Sequence, residues 1–234
     1  MVYLLIGFVF GFSIPYLARR FSKFMPATFA YALYRIFSIN KSVSREKKMA
    51  NHKYRQLADK YFMRSLGWGI VTAATTFLIS QTLPNNETPW IVFFIIVLFI
   101  LMEIDKRMLL LPDLLTVPLL FIGFAYAAFA GSLLGFDIAS AAQNSALGAI
   151  FGYFLPVIAS LFLIKKHPDV FGGGDIKLLS AVGAWLGVVN IPFVILISCI
   201  IFAINCFINK QKAGAFGPSI VLASIIMLFF LEYQ

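Results

Sequence analysis

The chain has 234 residues, of which 61% are hydrophobic and 12% are charged, whereas about a quarter of the residues of a soluble domain are charged. A chain of this size cannot hide so much apolar surface by folding in water, so a soluble globular protein is excluded. The net charge of +9 is mostly local, because twelve of the nineteen cations fall between residues 19 and 64. Membrane topology ordinarily produces such an excess, so it does not indicate binding of nucleic acid.

Uncharged runs along the chain predict eight membrane-spanning helices. The seven uncharged runs occupy residues 1–18, 65–86, 88–102, 114–136, 138–164, 178–209 and 213–231. A spanning helix needs about 20 apolar residues, and the 178–209 run, extended back to Ile176, holds two short helices with a turn near 187–192. The sequence therefore predicts an all-α fold, a polytopic helical bundle in the lipid bilayer.

The positions of the cations support eight spans. Lys and Arg accumulate in cytoplasmic loops, and the predicted loops alternate between cation-containing and cation-free along the whole chain. All nineteen cations then lie in the cytoplasm and both termini lie outside. The basic 19–64 loop also contains many aromatic residues, so part of it could lie along the membrane surface as an amphipathic helix.

Three aspartates are predicted at the cytoplasmic ends of spans, where ionisable groups suggest function. They are Asp105, Asp113 and Asp175. Asp113 follows a proline, and we expect it to be the N-cap of its helix. Asp175 follows three glycines, which can adopt backbone conformations closed to other residues and can let another chain approach closely. Glu103 either repels the charge of Asp105 or pairs with Lys106 or Arg107, and we favour the pairing.

Two carboxylates held a few ångströms apart cannot both ionise easily, so they share a proton. The ionised carboxylate can take a proton from a water that attacks a carbonyl. The protonated one can polarise that carbonyl and later protonate the leaving amine. This chemistry needs no metal. The only cysteines, Cys199 and Cys206, lie in an apolar run and form no C-x-x-C zinc site.

Two motifs carry a family resemblance. The first is an Asp-x(7)-Asp pattern that ends in Leu-Pro-Asp-Leu-Leu-Thr at 111–116, and the second is Gly-Gly-Gly-Asp-Ile-Lys at 172–177. Together they resemble the prepilin peptidases, the type IV leader peptidases among the G-x-G-D membrane aspartyl proteases. The likeness extends to Phe216-Gly217-Pro218 and, more loosely, to the glycines of residues 7–12. It covers residues 85–234 well and the N-terminal third poorly.

The resemblance assigns roles to six residues. It implies that Asp105 and Asp175 are the catalytic pair and that Asp113 is structural or orients the substrate. Gly172 and Gly174 match the two motif glycines, and Lys177 matches the basic residue after them. The implied activity is that of an aspartic endopeptidase in the bacterial inner membrane, with its active site facing the cytoplasm. Such an enzyme removes the short basic leader from type IV prepilin-like or pseudopilin precursors.

Many bacterial members also methylate the new N-terminus with S-adenosylmethionine, and they carry two C-x-x-C zinc pairs in the first cytoplasmic loop. The 19–64 loop has no cysteine, so no zinc is expected there. The resemblance therefore divides the chain into a zinc-less or degenerate methyltransferase-like region, 1–84, and a six-span peptidase core, 85–234. Methylation, with S-adenosylmethionine as its cofactor, stays an open alternative.

Two other functions compete with leader cleavage. One is a carboxylate-dependent transporter or channel without peptidase activity, but the aspartates gather at one surface and none is placed in mid-bilayer. The other is a presenilin-like protease that cuts within the membrane, against which the Leu-Pro-Asp-Leu-Leu-Thr signature argues.

Overall fold

The structure, a computed structural model, describes residues 1–24, 52–84, 86–131, 138–163, 172–210 and 214–232. In these ranges the chain forms eight α-helices and no strand, which confirms the all-α fold. They are α1 Val2–Phe24, α2 His52–Thr82, α3 Thr88–Met108, α4 Asp113–Phe129, α5 Ile138–Leu163, α6 Gly173–Leu186, α7 Ile191–Asn209 and α8 Gly217–Glu232. Residues 25–51, most of the predicted basic loop with its surface helix, lie outside the described residues.

Five of these helices are long and apolar enough to cross a membrane: α1, α2, α3, α5 and α7. The protein is therefore a multi-pass membrane protein. The other three, α4, α6 and α8, have 17, 14 and 16 residues. Their lengths are about 26, 21 and 24 Å, less than the hydrocarbon thickness of about 30 Å. The outside location of both termini stays a prediction.

The chain divides into two compact units, Met1–Gln81 and Thr82–Gln234. In the first unit, α1 and α2 pack through small residues. A Cβ on Gly11 would lie 2.7 Å from Thr72 Oγ1, and one on Gly7 would overlap Thr76 Oγ1. The Thr76 hydroxyl also donates a hydrogen bond of 3.0 Å to the Tyr3 carbonyl. Close packing of small residues is a common way for membrane helices to associate, and it explains the glycines of the first span.

In the second unit, Trp185 of α6 joins three helices. Its indole stacks on Phe94 of α3 and on Tyr126 of α4, with centroid distances of 4.6 and 5.2 Å. Its Nε1 donates to the Leu119 carbonyl at 2.9 Å, so the buried polar atom has a partner. A Cβ on Gly123 would lie 2.8 Å from this indole. The tryptophan therefore fixes the position of α6 relative to α3 and α4.

Small residues also allow α6 to lie deep in this unit. Gly183 of α6 and Gly148 of α5 touch so closely that a Cβ on either would overlap the carbonyl of the other. Every residue of α6 from Leu178 to Leu186 is buried. The predicted turn near 187–192 is confirmed, because α6 ends at Leu186 and Gly187 has a φ of +80°. This buried helix carries Asp175 in its first turn.

Candidate active site

Asp105 lies in the last turn of α3, where only 4% of the residue is exposed. The helix ends because Leu109 adopts a left-handed conformation, and its amide donates to the Asp105 carbonyl at 2.9 Å. The amide of Gly217, the first residue of α8, donates to Asp105 Oδ2 at 2.9 Å across 112 residues of sequence. A Cβ on Gly217 would lie 2.6 Å from that oxygen. The Asp105 carboxylate is therefore held against the start of α8 by a contact that requires glycine.

Asp175 is the third residue of α6 and is only partly exposed. Gly172 is the N-cap of this helix, and its carbonyl accepts the Asp175 amide at 3.0 Å. The Asp175 carboxylate lies close to Gly172, because a Cβ on Gly172 would lie 3.1 Å from Asp175 Oδ2. Each of the two carboxylates thus rests against the backbone of a glycine.

The fold brings these two aspartates together although 70 positions separate them in the sequence. Leu111, in the loop that follows Asp105, packs against Gly174, the residue before Asp175. Helix α8 contacts both α3 and α6, the helices that carry the pair, and its first residue, Gly217, contacts Asp105. Two neighbouring carboxylates, one buried and one partly exposed, are suited to general acid and base chemistry.

The glycines of the 172–174 motif let neighbouring atoms lie close to the backbone, and their own backbone angles are ordinary. Gly172 has a φ of −66°, and in the described chain the glycines with positive φ lie outside this motif. Of the two possibilities that the sequence offered for these glycines, the structure shows close approach and not a conformation closed to other residues. A Cβ on Gly174 would lie 3.0 Å from Leu111 Cβ and 3.3 Å from its amide nitrogen, whereas one on Gly173 would meet nothing within 4 Å. Gly174 lets the loop after α3 pack on the first turn of α6.

Asp113 is not an N-cap, so that prediction is also wrong. Pro112 takes the N-cap position with an extended backbone, and no side chain caps the helix. The Pro112 carbonyl accepts the amides of Leu115 and Thr116, so Asp113 is the first helical residue. Its two carboxylate oxygens accept hydrogen bonds from Lys177 Nζ at 2.7 and 2.8 Å. This ion pair ties the start of α4 to the N-terminal part of α6.

Glu103 pairs with Arg107, which confirms the favoured prediction. Arg107 Nε donates to Glu103 Oε1 at 2.9 Å, and Nη2 lies 2.8 Å from the same oxygen. The Glu103 side chain is 1% exposed and that of Arg107 is 21% exposed. A buried carboxylate needs such a partner, because burying an unpaired charge is costly. The pair stabilises the end of α3 that carries Asp105.

The residues of this chain do not fit the zinc site that the family resemblance implies for many bacterial members. The four cysteines of that site would lie in the 19–64 loop, where the sequence has none. The only two cysteines lie on α7, at positions 199 and 206. Within the described ranges, no group of three or more His, Cys, Asp and Glu side chains is placed to hold a metal ion.

Comparison with known proteins identifies the family. The sequence profile of the type IV leader peptidase family matches residues 92–207, a range that contains both aspartates. A prepilin leader peptidase/N-methyltransferase of Vibrio cholerae is 30% identical over 76% of this chain and 69% of its own length. Proteins with the same name from Neisseria gonorrhoeae and Escherichia coli are 27% and 35% identical. These two matches cover 69% and 56% of this chain, and 50% and 58% of the relatives.

The chain therefore belongs to the type IV leader peptidase family, also called the prepilin peptidases, as its motifs indicated. It spans 69% of the length of the Vibrio relative and about half of the lengths of the other two. No solved structure gives a significant match.

The role of Gly217 was not predicted from the sequence. The Phe216-Gly217-Pro218 turn was recognised only as a shared signature. Its contact with Asp105 depends on how α8 packs against α3, which local sequence patterns do not reveal.

Proposed function

We propose that this protein is a membrane aspartic endopeptidase that removes the short basic leader from type IV prepilin-like or pseudopilin precursors. The proposal rests on the positions of Asp105 at the end of α3 and of Asp175 at the start of α6, two segments that pack together where Leu111 meets Gly174. Membership of the type IV leader peptidase family supports it. The relatives are named for action on prepilins, which suggests the class of substrate.

We place the protein in the bacterial inner membrane with this site facing the cytoplasm. Lys106 and Arg107 follow Asp105 directly, and Lys177 follows Asp175 by two residues. Such cations favour the cytoplasmic side of a membrane protein. The leader of a precursor would then be cut off on the cytoplasmic side, at a position just ahead of the precursor's hydrophobic helix.

In the proposed reaction, Asp105 and Asp175 share one proton. The ionised carboxylate takes a proton from water as the water oxygen attacks the scissile carbonyl carbon. The protonated carboxyl polarises the carbonyl oxygen, and the leaving amine is protonated as the C–N bond breaks. Partial exposure of Asp175 leaves a route for the water that hydrolysis consumes.

The remaining site residues have supporting roles in this proposal. Gly172 leaves room for the Asp175 carboxylate, and Gly174 lets Leu111 pack on the first turn of α6. The ion pair of Lys177 with Asp113 links the N-terminal part of α6 to α4. These contacts hold Asp175 in position, which is what a reaction between closely placed groups requires.

Methylation of the new N-terminus is a separate and weaker proposal. The relatives carry N-methyltransferase in their names, and S-adenosylmethionine would be the methyl donor. This chain lacks the cysteine pairs, and residues 25–51 of the first loop lie outside the described ranges. The region 1–84 is the part of the chain to which we would assign this activity.

Cleavage of a purified precursor by the protein in liposomes tests the proposal. Mass spectrometry of the product, with and without S-adenosylmethionine, reports cleavage, the cut position and methylation together. We expect the leader to be removed by the native protein and retained with Asp105→Asn. Intact prepilin and pseudopilin precursors in every reaction would contradict the proposal. If the same liposomes then dissipated a proton gradient, and Asp105→Asn prevented this, the transporter alternative would be favoured.

A further inference from the structure

The turn that begins α8 is built to place one backbone amide beside Asp105. The Phe216 ring packs edge to face on Phe202 of α7, with a centroid distance of 5.3 Å. This contact fixes the residue before the helix. Pro218 suits the first turn of a helix, where an amide is not needed. Between them, Gly217 is the residue whose amide reaches the carboxylate.

The amide of Gly217 is available because the helix does not use it. The Phe216 carbonyl accepts the amides of Ser219 and Ile220 at 2.9 and 3.2 Å, which closes the first turn of α8. The first amides of a helix have no partner within it. That of Gly217 donates instead to Asp105 Oδ2 at 2.9 Å.

This hydrogen bond favours the ionised form of Asp105. An amide donor stabilises a carboxylate more than a carboxylic acid. Asp105 is 4% exposed, so bulk water contributes little to its solvation. Its contact with Gly217 is therefore an important source of stabilisation for a negative charge at this position.

We propose that Gly217 is a positioning residue that keeps Asp105 ionised and oriented as the proton acceptor of the pair, which leaves Asp175 as the proton donor. The inference rests on the proposed peptidase function. Asp105 takes a proton from water while the water oxygen bonds to the carbonyl carbon. The proton of Asp175 goes to the leaving amine as the C–N bond breaks. The pair then holds its single proton on Asp105, and transfer of that proton to Asp175 restores the starting state.

Replacement of the Gly217 amide by an ester tests this directly. Cell-free synthesis into nanodiscs, with glycolic acid at position 217, removes the N–H and adds no side chain. We expect kcat for precursor cleavage to fall about 10- to 100-fold, the range for a hydrogen bond to a charged group, with KM unchanged. The acid limb of the pH profile should also move to higher pH by about one unit, whereas a purely structural defect would lower the rate equally at every pH.

The matched control places glycolic acid at Gly67 in α2, where even an added Cβ would meet nothing within 4 Å. It should cleave like the native protein. A second variant, Gly217→Ala, keeps the amide but puts a Cβ 2.6 Å from Asp105 Oδ2, and it should lose at least as much activity as the ester.

The outcomes separate this inference from the function on which it rests. If the native protein and the Gly67 control cleave and the ester at 217 keeps their rate and pH profile, the positioning role of Gly217 is refuted. If an ester at 217 lowers the rate without moving the acid limb, the assignment of Asp105 as proton acceptor is refuted. If neither the native protein nor the Gly67 control cleaves any precursor, the proposed function itself fails.

Discussion

Lys177 Nζ lies 2.7 and 2.8 Å from the two carboxylate oxygens of Asp113, although the residues are 64 positions apart in the sequence. The ion pair joins the first residue of α4 to the fifth residue of α6, two residues beyond Asp175. Asp113 is therefore engaged with a cation and its carboxylate is largely exposed, with 62% of the side chain accessible. This environment differs from that of the buried Asp105.

Asp113→Asn should keep measurable cleavage activity. Exposed ion pairs contribute about 1 kcal/mol or less, so we expect a loss of no more than about fivefold in kcat/KM. Lys177→Gln should behave similarly. The double variant should lose less than the product of the two single effects, because both changes break the same pair. Cleavage rates of the three proteins in liposomes measure this. Complete loss with Asp113→Asn, in a protein that still inserts, would move Asp113 into the catalytic pair.

Sequence patterns were informative where structure is set locally. In the part of the chain that the structure describes, the uncharged runs predicted the eight helices, of which five are long and apolar enough to cross a membrane, and the predicted turn near 187–192 lies between α6 and α7. The pairing of Glu103 with Arg107 is also local, since one helical turn separates the two residues.

The contacts that build the site join distant segments and were harder to predict. Asp113 was expected to cap its own helix, but the extended Pro112 takes that position and leaves Asp113 free to reach Lys177. The Gly217 contact spans 112 residues. Both contacts depend on the packing of α4, α6 and α8, which helical periodicity and capping rules do not describe. Only the family resemblance indicated that Asp105 and Asp175 would act together.

Two adjacent glycines should respond differently to alanine. Gly174→Ala puts a Cβ 3.0 Å from Leu111 Cβ, and Leu111 is buried, so the first turn of α6 must shift. A displacement of about 1 Å at a reacting group can cost about 100-fold in rate, so we expect a 10- to 100-fold loss of cleavage. Gly173→Ala is the matched control, since its Cβ meets nothing within 4 Å. Equal rates for the two variants would contradict the packing role of Gly174.

Glu103→Ala should reduce stability more than catalysis. The change leaves the Arg107 guanidinium, which is 21% exposed, without this carboxylate. Breaking a buried ion pair is strongly destabilising, and with part of Arg107 in water we expect a loss of about 2 kcal/mol. Thermal unfolding in detergent measures this change. Below the unfolding temperature, kcat should remain within about threefold, since Glu103 takes no part in proton transfer.

The double variant Glu103→Ala/Arg107→Ala provides the control for this ion pair. Because both single changes break the same ion pair, the destabilisation of the double variant should be smaller than the sum of the single changes. If the stability losses of the two single variants add up to that of the double variant, the ion pair between the two side chains does not stabilise the end of α3. A loss of kcat as large as that of Asp105→Asn would instead place Glu103 in the reaction.

The central claim is that Asp105 and Asp175 carry out hydrolysis, and single-turnover cleavage by Asp105→Asn and Asp175→Asn tests it most directly. Glu87→Gln is the matched control, because it makes the same change of carboxylate to amide at the other end of α3, where Glu87 accepts a hydrogen bond from Tyr126. The account predicts that each aspartate variant inserts normally and loses about 1,000-fold or more in rate, while Glu87→Gln cleaves like the native protein. Cleavage of the precursor at the native rate by either aspartate variant would contradict it.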